Sequence, residues 1–154
     1  MNKYEKLESD LVALLSGQVF DVKPLPETET EYRPQSPKGM VYVAYDSSDF
    51  SDTETLSKVV QDEKIKFSFE IHSKTRRGEK GTLSIFETIR LKIVGLKLLG
   101  YDRMSLVQAT SLQGSGGNHW VYYAQFTTNT KISDVQPDPD SEGNLLKQAD
   151  FINQ

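Results

Sequence analysis

Apolar and polar residues alternate without interruption across residues 64–72. Successive side chains of a β-strand point to opposite faces of the sheet, so a period of two is typical of a strand with one buried face. This segment is therefore predicted to be a strand that covers a hydrophobic core. Its apolar face is formed by Ile65, Phe67, Phe69 and Ile71.

Residues 2–16 carry apolar side chains at helical spacing. Asn2 and Glu5 are spaced for a capping box at the start of this helix, and Gly17 stands where a C-terminal cap belongs. The segment is predicted to be an amphipathic helix. Its apolar residues are Tyr4, Leu7, Leu11, Leu14 and Leu15.

Residues 82–99 are predicted to form a second helix with two apolar stripes. The sheet-facing stripe consists of Ile85, Phe86, Ile89, Ile93 and Leu96. The other stripe consists of Leu83, Leu91, Val94 and Leu98. A helix that lies on one sheet needs one stripe. The second is expected either to pack on the N-terminal helix or to form a subunit interface, because large apolar patches are rarely left exposed on monomers.

Shorter patterns predict the remaining elements. Residues 19–22 and 40–45 indicate strands, and residues 106–113 and 120–128 indicate a hairpin around the glycine-rich tip at 114–118. The four prolines between positions 24 and 38 indicate an exposed loop. Residues 46–52 have turn composition, and residues 53–61 fit a loop or a short helix.

This order of elements, α-β-β-β-α-β-β, predicts an α+β fold. We expect a mainly antiparallel sheet of four to five strands with the helices packed on one side. The predicted organisation is a single domain at residues 1–130 and an acidic C-terminal tail at residues 131–154, with a short helix near residues 144–151.

Composition narrows the classes of function. The chain has 154 residues and no cysteine, which excludes disulfides, a thiolate nucleophile and cysteine-ligated zinc. No apolar run approaches the roughly 20 residues that a membrane span requires. We therefore expect a protein that folds in a cytoplasm without a membrane segment.

The net charge of −4 is unevenly distributed. Residues 1–60 carry 6 basic and 11 acidic side chains, residues 61–130 carry 10 and 6, and residues 131–154 carry 2 and 5. Two explanations stay open: a chance distribution over a solvated surface, or complementary regions that meet between neighbouring subunits. A nucleic-acid-binding protein normally has a stronger basic excess.

Candidate catalytic chemistry is sparse. Neither His72 nor His119 has a nucleophile motif around it, so a catalytic role is not expected for either. The glycine run at 114–117 leads into a strand, whereas phosphate-binding loops lead into a helix. The acidic stretches at 46–54 and 134–142 lack the spacing of a calcium loop.

The turn at residues 74–81 carries four cations, Lys74, Arg76, Arg77 and Lys80, immediately before the second helix. Helix N-termini disfavour cations, so local electrostatics does not explain this placement. The turn is predicted either to be solvated or to contact an acidic surface of a partner subunit. A contact with DNA phosphates is a further alternative.

The central part of the chain resembles a known family. An alternating strand at 60–72, the turn Arg76-Arg77-Gly78, an apolar helix at 82–99 and a glycine-tipped hairpin with an aromatic second arm at 120–127 follow one another. This unit is similar to the small phage tail-terminator proteins, most closely those of contractile-tailed, Mu-like phages. It also resembles the tube terminators of phage-derived contractile injection systems. With the first helix and the strand at 41–45, the resemblance extends over about residues 2–130.

The resemblance implies a structural protein without enzymatic activity or cofactor. Terminators of this type form a hexameric ring at the head-proximal end of the tail tube, stop tube polymerisation and offer a docking surface for head or neck. The implied partners are copies of the same chain, the tail tube protein, and sheath and neck or head-joining proteins. No membrane and no specific nucleic acid is implied. The implied location is a virion tail or a contractile injection particle, assembled in the bacterial cytoplasm.

The sequence predicts no catalytic, cofactor-binding or metal-binding residue. The residues predicted to contact neighbouring subunits or the tail are Lys66, Glu70, Arg76, Arg77, Lys80, Leu91, Val94 and Leu98. One alternative is another head–tail joining or tail-completion component on a similar domain. The other is a small module that binds nucleic acid or an effector through the basic turn.

Overall fold

The computed structural model describes residues 1–53, 59–112 and 118–133. Two helices and five strands follow in the predicted order, which confirms the α+β class. They are α1 (Lys3–Leu15), β1 (Asp21–Pro24), β2 (Met40–Phe50), β3 (Val60–Ser73), α2 (Thr82–Ile93), β4 (Ser105–Leu112) and β5 (Trp120–Ser133). Neither helix is long and apolar enough to cross a membrane, within the part of the chain that the structure describes.

The strands form one sheet in the order β1-β2-β3-β5-β4. Three of the pairings are antiparallel, and β1 pairs with β2 in parallel. The sheet is therefore mixed rather than purely antiparallel. The physical reason is the loop after β1. It carries the chain back to the end of the sheet where β1 begins, so β2 starts beside the start of β1 and Met40 lies opposite Asp21.

The core lies between the helices and the predicted apolar face of β3. Leu7, Leu11 and Leu15 of α1 and the isoleucines of α2 are buried in the same cluster as that face. Phe67, Phe69 and Phe126 form an aromatic group at its centre, with ring centroids 5.4–5.9 Å apart. Both helices thus pack on one side of the sheet, as predicted, and leave its second face to a loop.

The start of α1 follows the predicted capping box. The Asn2 side chain accepts hydrogen bonds from the backbone N–H groups of Tyr4 and Glu5, at 3.0 and 2.9 Å. The Glu5 carboxylate accepts in return from the Asn2 backbone N–H at 3.3 Å. These reciprocal bonds satisfy helix N–H groups that have no intrahelical partner.

The prediction of a turn at 46–52 is wrong for residues 46–50, because β2 continues to Phe50. The pairing with β3 changes register between Tyr45 and Ser47, which places Asp46 at a bulge. The Asp46 carboxylate accepts hydrogen bonds from Ser68, Tyr123 and Gln125, so neighbouring strands satisfy this polar residue within the sheet.

The predicted helix at 82–99 is six residues too long, because α2 ends at Ile93. Gly95 adopts a φ of +83°, and its N–H donates to the Met104 carbonyl at 2.7 Å instead of continuing the helix. Met104 is buried in the core and leads into β4. Residues 114–117 of the predicted glycine-rich tip and the predicted helix near 144–151 lie outside the described residues.

Candidate functional site

The cations of the turn between β3 and α2 are exposed. Arg76, Arg77 and Lys80 make no ion pair with any acid in residues 1–53, 59–112 or 118–133. The first turn of α2 contains no acidic residue, and its N-cap, Gly81, offers no side-chain hydrogen bond. The turn therefore presents unpaired positive charge to solvent.

Backbone carbonyls of the turn explain how a basic segment can precede a helix. The N–H groups of Thr82 and Leu83 donate to the carbonyls of Thr75 and Arg76, at 3.1 and 3.2 Å. A Cβ at Gly81 would lie 2.5 Å from the Arg76 carbonyl oxygen, so only glycine allows this approach. The carbonyls cap the helix, and the cationic side chains of the turn are exposed.

An apolar patch lies at the C-terminal end of α2. Leu91 is 67% exposed, Val94 is 46% exposed, and Leu99 in the following loop is fully exposed. Leu91 and Val94 are three residues apart and share one side of the helix end. Neither is buried against α1, so packing on the first helix does not account for the second stripe. Leu98, by contrast, is partly buried against the core.

Lys66 and Glu70 lie on the second face of the sheet, away from both helices. The Lys66 ammonium is 3.3 Å from the Asp49 carboxylate on the neighbouring strand. Glu70 is half-buried and is engaged by His72 and Tyr32. Both predicted interface residues thus have partners within their own subunit.

A network of two histidines, a carboxylate and a tyrosine occupies one end of this second face. His72 is 3% exposed, its Nε2 lies 2.5 Å from Glu70 Oε1, and its Nδ1 lies 3.0 Å from His119 Nε2. Tyr32 donates its hydroxyl hydrogen to the same Glu70 oxygen and lies 3.0 Å from His72 Nε2. The Tyr32 ring stacks on Tyr42 of β2 at a centroid distance of 5.1 Å.

The pKa shifts follow from these contacts. The hydrogen bond from His72 lowers the pKa of Glu70, burial opposes this, and the bond from Tyr32 adds to it. Burial and the bond to Glu70 raise the pKa of Tyr32, so its hydroxyl keeps its proton. Burial and the charge of His72 lower the pKa of His119 below its ordinary value of 6.5. The network therefore holds a carboxylate and disfavours a protonated His119.

A second buried carboxylate ties α1 to the sheet. Glu63 of β3 is fully buried and accepts hydrogen bonds from Lys3, from Tyr4 at 2.7 Å and from Ser48 at 2.6 Å. Burial alone would raise the pKa of Glu63, but these three hydrogen bonds outweigh it and lower the pKa. This cluster fixes the start of α1 against β2 and β3.

Residues 12–152 match the model of a family described as Gp37 protein. The chain belongs to the Gp37 family. No curated protein matches it in sequence. Among solved structures, it is similar to a chain in the virion of a native gene transfer agent particle. That similarity has a TM-score of 0.47 and 11% sequence identity, and it covers 82% of this chain and 88% of the other.

In this member of the Gp37 family, the predicted site residues other than Leu98 lie in three separate places: the basic turn, the apolar patch and the second face of the sheet. Sequence reasoning missed the contact between His72 and His119. Their proximity follows from the β3–β5 pairing, in which Ser73 lies opposite Trp120. The two strands are separated in sequence by α2 and β4, so the alternating pattern alone did not reveal this pairing. In the described ranges no group of three or more metal-ligating side chains occurs.

Proposed function

We propose that this Gp37 protein is a structural subunit of a phage-type tail that forms a ring at the head-proximal end of the tail tube. In this role it stops tube polymerisation and offers a docking surface for head or neck proteins. Family membership and the order of elements shared with tail terminators support the proposal. The proposed number of six subunits is taken from the same resemblance to tail terminators.

The exposed apolar patch is the observation that carries the proposal. Full burial of a large aliphatic side chain contributes roughly 1.5–3 kcal/mol. Weighted by the exposed fractions of Leu91, Val94 and Leu99, one such patch would contribute about 3–6 kcal/mol at an interface. That corresponds to roughly a 100- to 20,000-fold change in an association constant.

The basic turn supplies the second element of the proposed interface. Unpaired cations at an interface rim mainly increase association rate and orient the partner. The N-terminal 60 residues carry 11 acids against 6 basic residues, so a neighbouring copy offers acidic surface for Arg76, Arg77 and Lys80. The apolar patch would then contribute affinity, and the turn would contribute orientation.

The test compares assembly of three proteins by light scattering and native mass spectrometry over a range of concentrations. The double substitution Leu91→Gln and Val94→Gln removes two of the three apolar side chains of the patch, and glutamine is a good helix former. The matched control is Val19→Gln, because Val19 is 65% exposed outside the patch. We expect the wild type and the control to form the ring and the double variant to stay monomeric. Equal assembly of all three proteins would contradict the role of the patch.

A further inference from the structure

Residues 26–38 form a strap over the second face of the sheet, between β1 and β2. The Tyr32 ring stacks on Tyr42, and the Arg33 backbone N–H donates to the Tyr42 hydroxyl at 2.8 Å. Closer to β2, the Ser36 hydroxyl donates to the Asp21 carboxylate at 2.7 Å. Few apolar side chains hold the strap, so these polar and aromatic contacts determine whether it stays on the sheet.

The histidine pair lies directly beneath this strap. Pro34, Gln35 and Ser36 of the strap line a cavity of about 220 Å³ together with His119 and Lys74. Tyr32, the central contact of the strap, bonds to both Glu70 and His72. The strap therefore contacts Glu70 and His72 directly and shares a cavity with His119.

The hydrogen-bond partners determine how protons are arranged in the neutral pair. Glu70 and the oxygen of Tyr32 are acceptors for His72, so Nε2 of His72 carries the hydrogen. Its Nδ1 then presents a lone pair, which accepts from the Nε2–H of His119. Every facing donor has an acceptor in this arrangement.

Protonation changes this arrangement in two steps. The pair can accept one added proton. His72 Nδ1 and His119 Nε2, which face each other, still share a single hydrogen, and the Glu70 carboxylate balances the added positive charge. A second added proton gives both facing nitrogens a hydrogen, and two cations then stand 3.0 Å apart at Nδ1 and Nε2. Like charges at this distance repel strongly in a site that is mostly shielded from water.

The other groups around the pair leave this repulsion uncompensated. Glu70 on β3 is the one carboxylate in contact with the pair among the described residues, and it is already bonded to His72 and Tyr32. Tyr42 on β2 contacts His72 edge-on and carries no charge. Lys74 lines the same cavity as His119 and adds positive charge.

We propose that residues 26–38 are a pH-sensitive strap, held on the sheet by Tyr32 and released when the His72–His119 pair takes up its second proton. The partly exposed His119 moves out, and the Tyr32 contacts then weaken. Release uncovers the face of β2 and β3 around Tyr42. This device is independent of the proposed ring role. The lowered pKa of His119 sets the pH range below 6.5.

The test is hydrogen exchange of the full-length protein between pH 7 and pH 5, corrected for intrinsic exchange rates. We expect protection of the strap to fall as the pH drops below 6.5, by up to about tenfold per pH unit, since each unit changes a protonation equilibrium tenfold. His119→Gln keeps an N–H donor toward His72 but does not titrate, so its strap should stay protected throughout this range. Unchanged protection in the wild type, or the same loss in the variant, would overturn the proposal.

A second measurement on the wild type keeps the proposal testable if the variant does not fold. The chain has two histidines, so their ring resonances can be assigned and titrated individually. The midpoint of the second histidine transition and the midpoint of strap exposure should coincide. Two clearly different midpoints would show that the pair does not control the strap.

Discussion

Tyr4→Phe tests whether the buried Glu63 carboxylate holds α1 on the sheet. The substitution deletes the hydroxyl that donates to Glu63 at 2.7 Å and keeps the ring, which packs on Tyr45 at a centroid distance of 4.5 Å. A hydrogen bond to a charged group contributes about 1.5–3 kcal/mol. We expect that loss in the free energy of unfolding at pH 7, or a decrease in Tm of about 3–12 °C for a chain of this size.

The cost of Tyr4→Phe should depend on pH. The pKa of Glu63 is lowered in the folded protein, so its contribution to stability is complete above the unfolded value near 4.5. It is lost as the pH falls through the folded pKa. Below pH 4.5, the cost of the substitution should therefore decrease toward the roughly 0.5–1.5 kcal/mol of a neutral hydrogen bond.

Denaturant unfolding of the variant at pH 7 and at successively lower pH measures both effects. Tyr122→Phe is the matched control, because the Tyr122 hydroxyl makes no hydrogen bond to a residue in the described ranges while its ring packs on Phe86 at 4.8 Å. The control should change stability by less than about 0.5 kcal/mol. A loss for Tyr4→Phe below that value, or one that is the same at every pH, would refute the reasoning about Glu63.

Substitutions at three further places test other parts of the structure. Phe126→Ala should cost about 3–5 kcal/mol by urea unfolding, because the ring is fully buried between Phe67 and Phe69, whereas Phe126→Leu should cost about 1–2 kcal/mol. Gly81→Ala should lower Tm in a thermal melt, since its Cβ would meet the Arg76 carbonyl oxygen at 2.5 Å; an unchanged Tm would show that the turn adapts. Arg76→Glu with Arg77→Glu should leave the monomer within about 0.5 kcal/mol of wild type but weaken ring formation in light scattering; unchanged assembly would show that both are only solvated.

The predictions from local pattern agree best with the structure. The alternating strand and the first helix follow from the period of the apolar residues, because burial on one side imposes that period. In β5, Ala124 and Phe126 share a face and are both buried. Local pattern also identified the hairpin formed by β4 and β5.

The errors lie where tertiary contacts override composition. Asp46 and its neighbours read as a turn, yet hydrogen bonds from Tyr123 and Gln125 hold Asp46 within β2. Residues 94–99 have an apolar, helix-like pattern, yet Gly95 turns the chain toward Met104. Tyr123 and Gln125 are far from Asp46 in sequence, and Met104 lies nine residues beyond Gly95.

The sequence likewise predicted one part of the candidate site and missed another. The exposed cations of the turn and the surplus apolar stripe are properties of one segment each, so the sequence indicated both. The contact between His72 and His119 depends on the pairing of β3 with β5, which lie next to each other in the sheet but not in the sequence. The strap could not be predicted either, because it also depends on the stacking of Tyr32 on Tyr42.

The proposed ring that caps a tail tube is tested most directly by electron microscopy of tubes grown from the tail tube protein in the presence and absence of the purified chain. We expect one ring at a single end of each tube and arrest of growth at that end. Tubes that keep growing with both ends bare, while the protein stays monomeric at high micromolar concentration, would contradict the proposal.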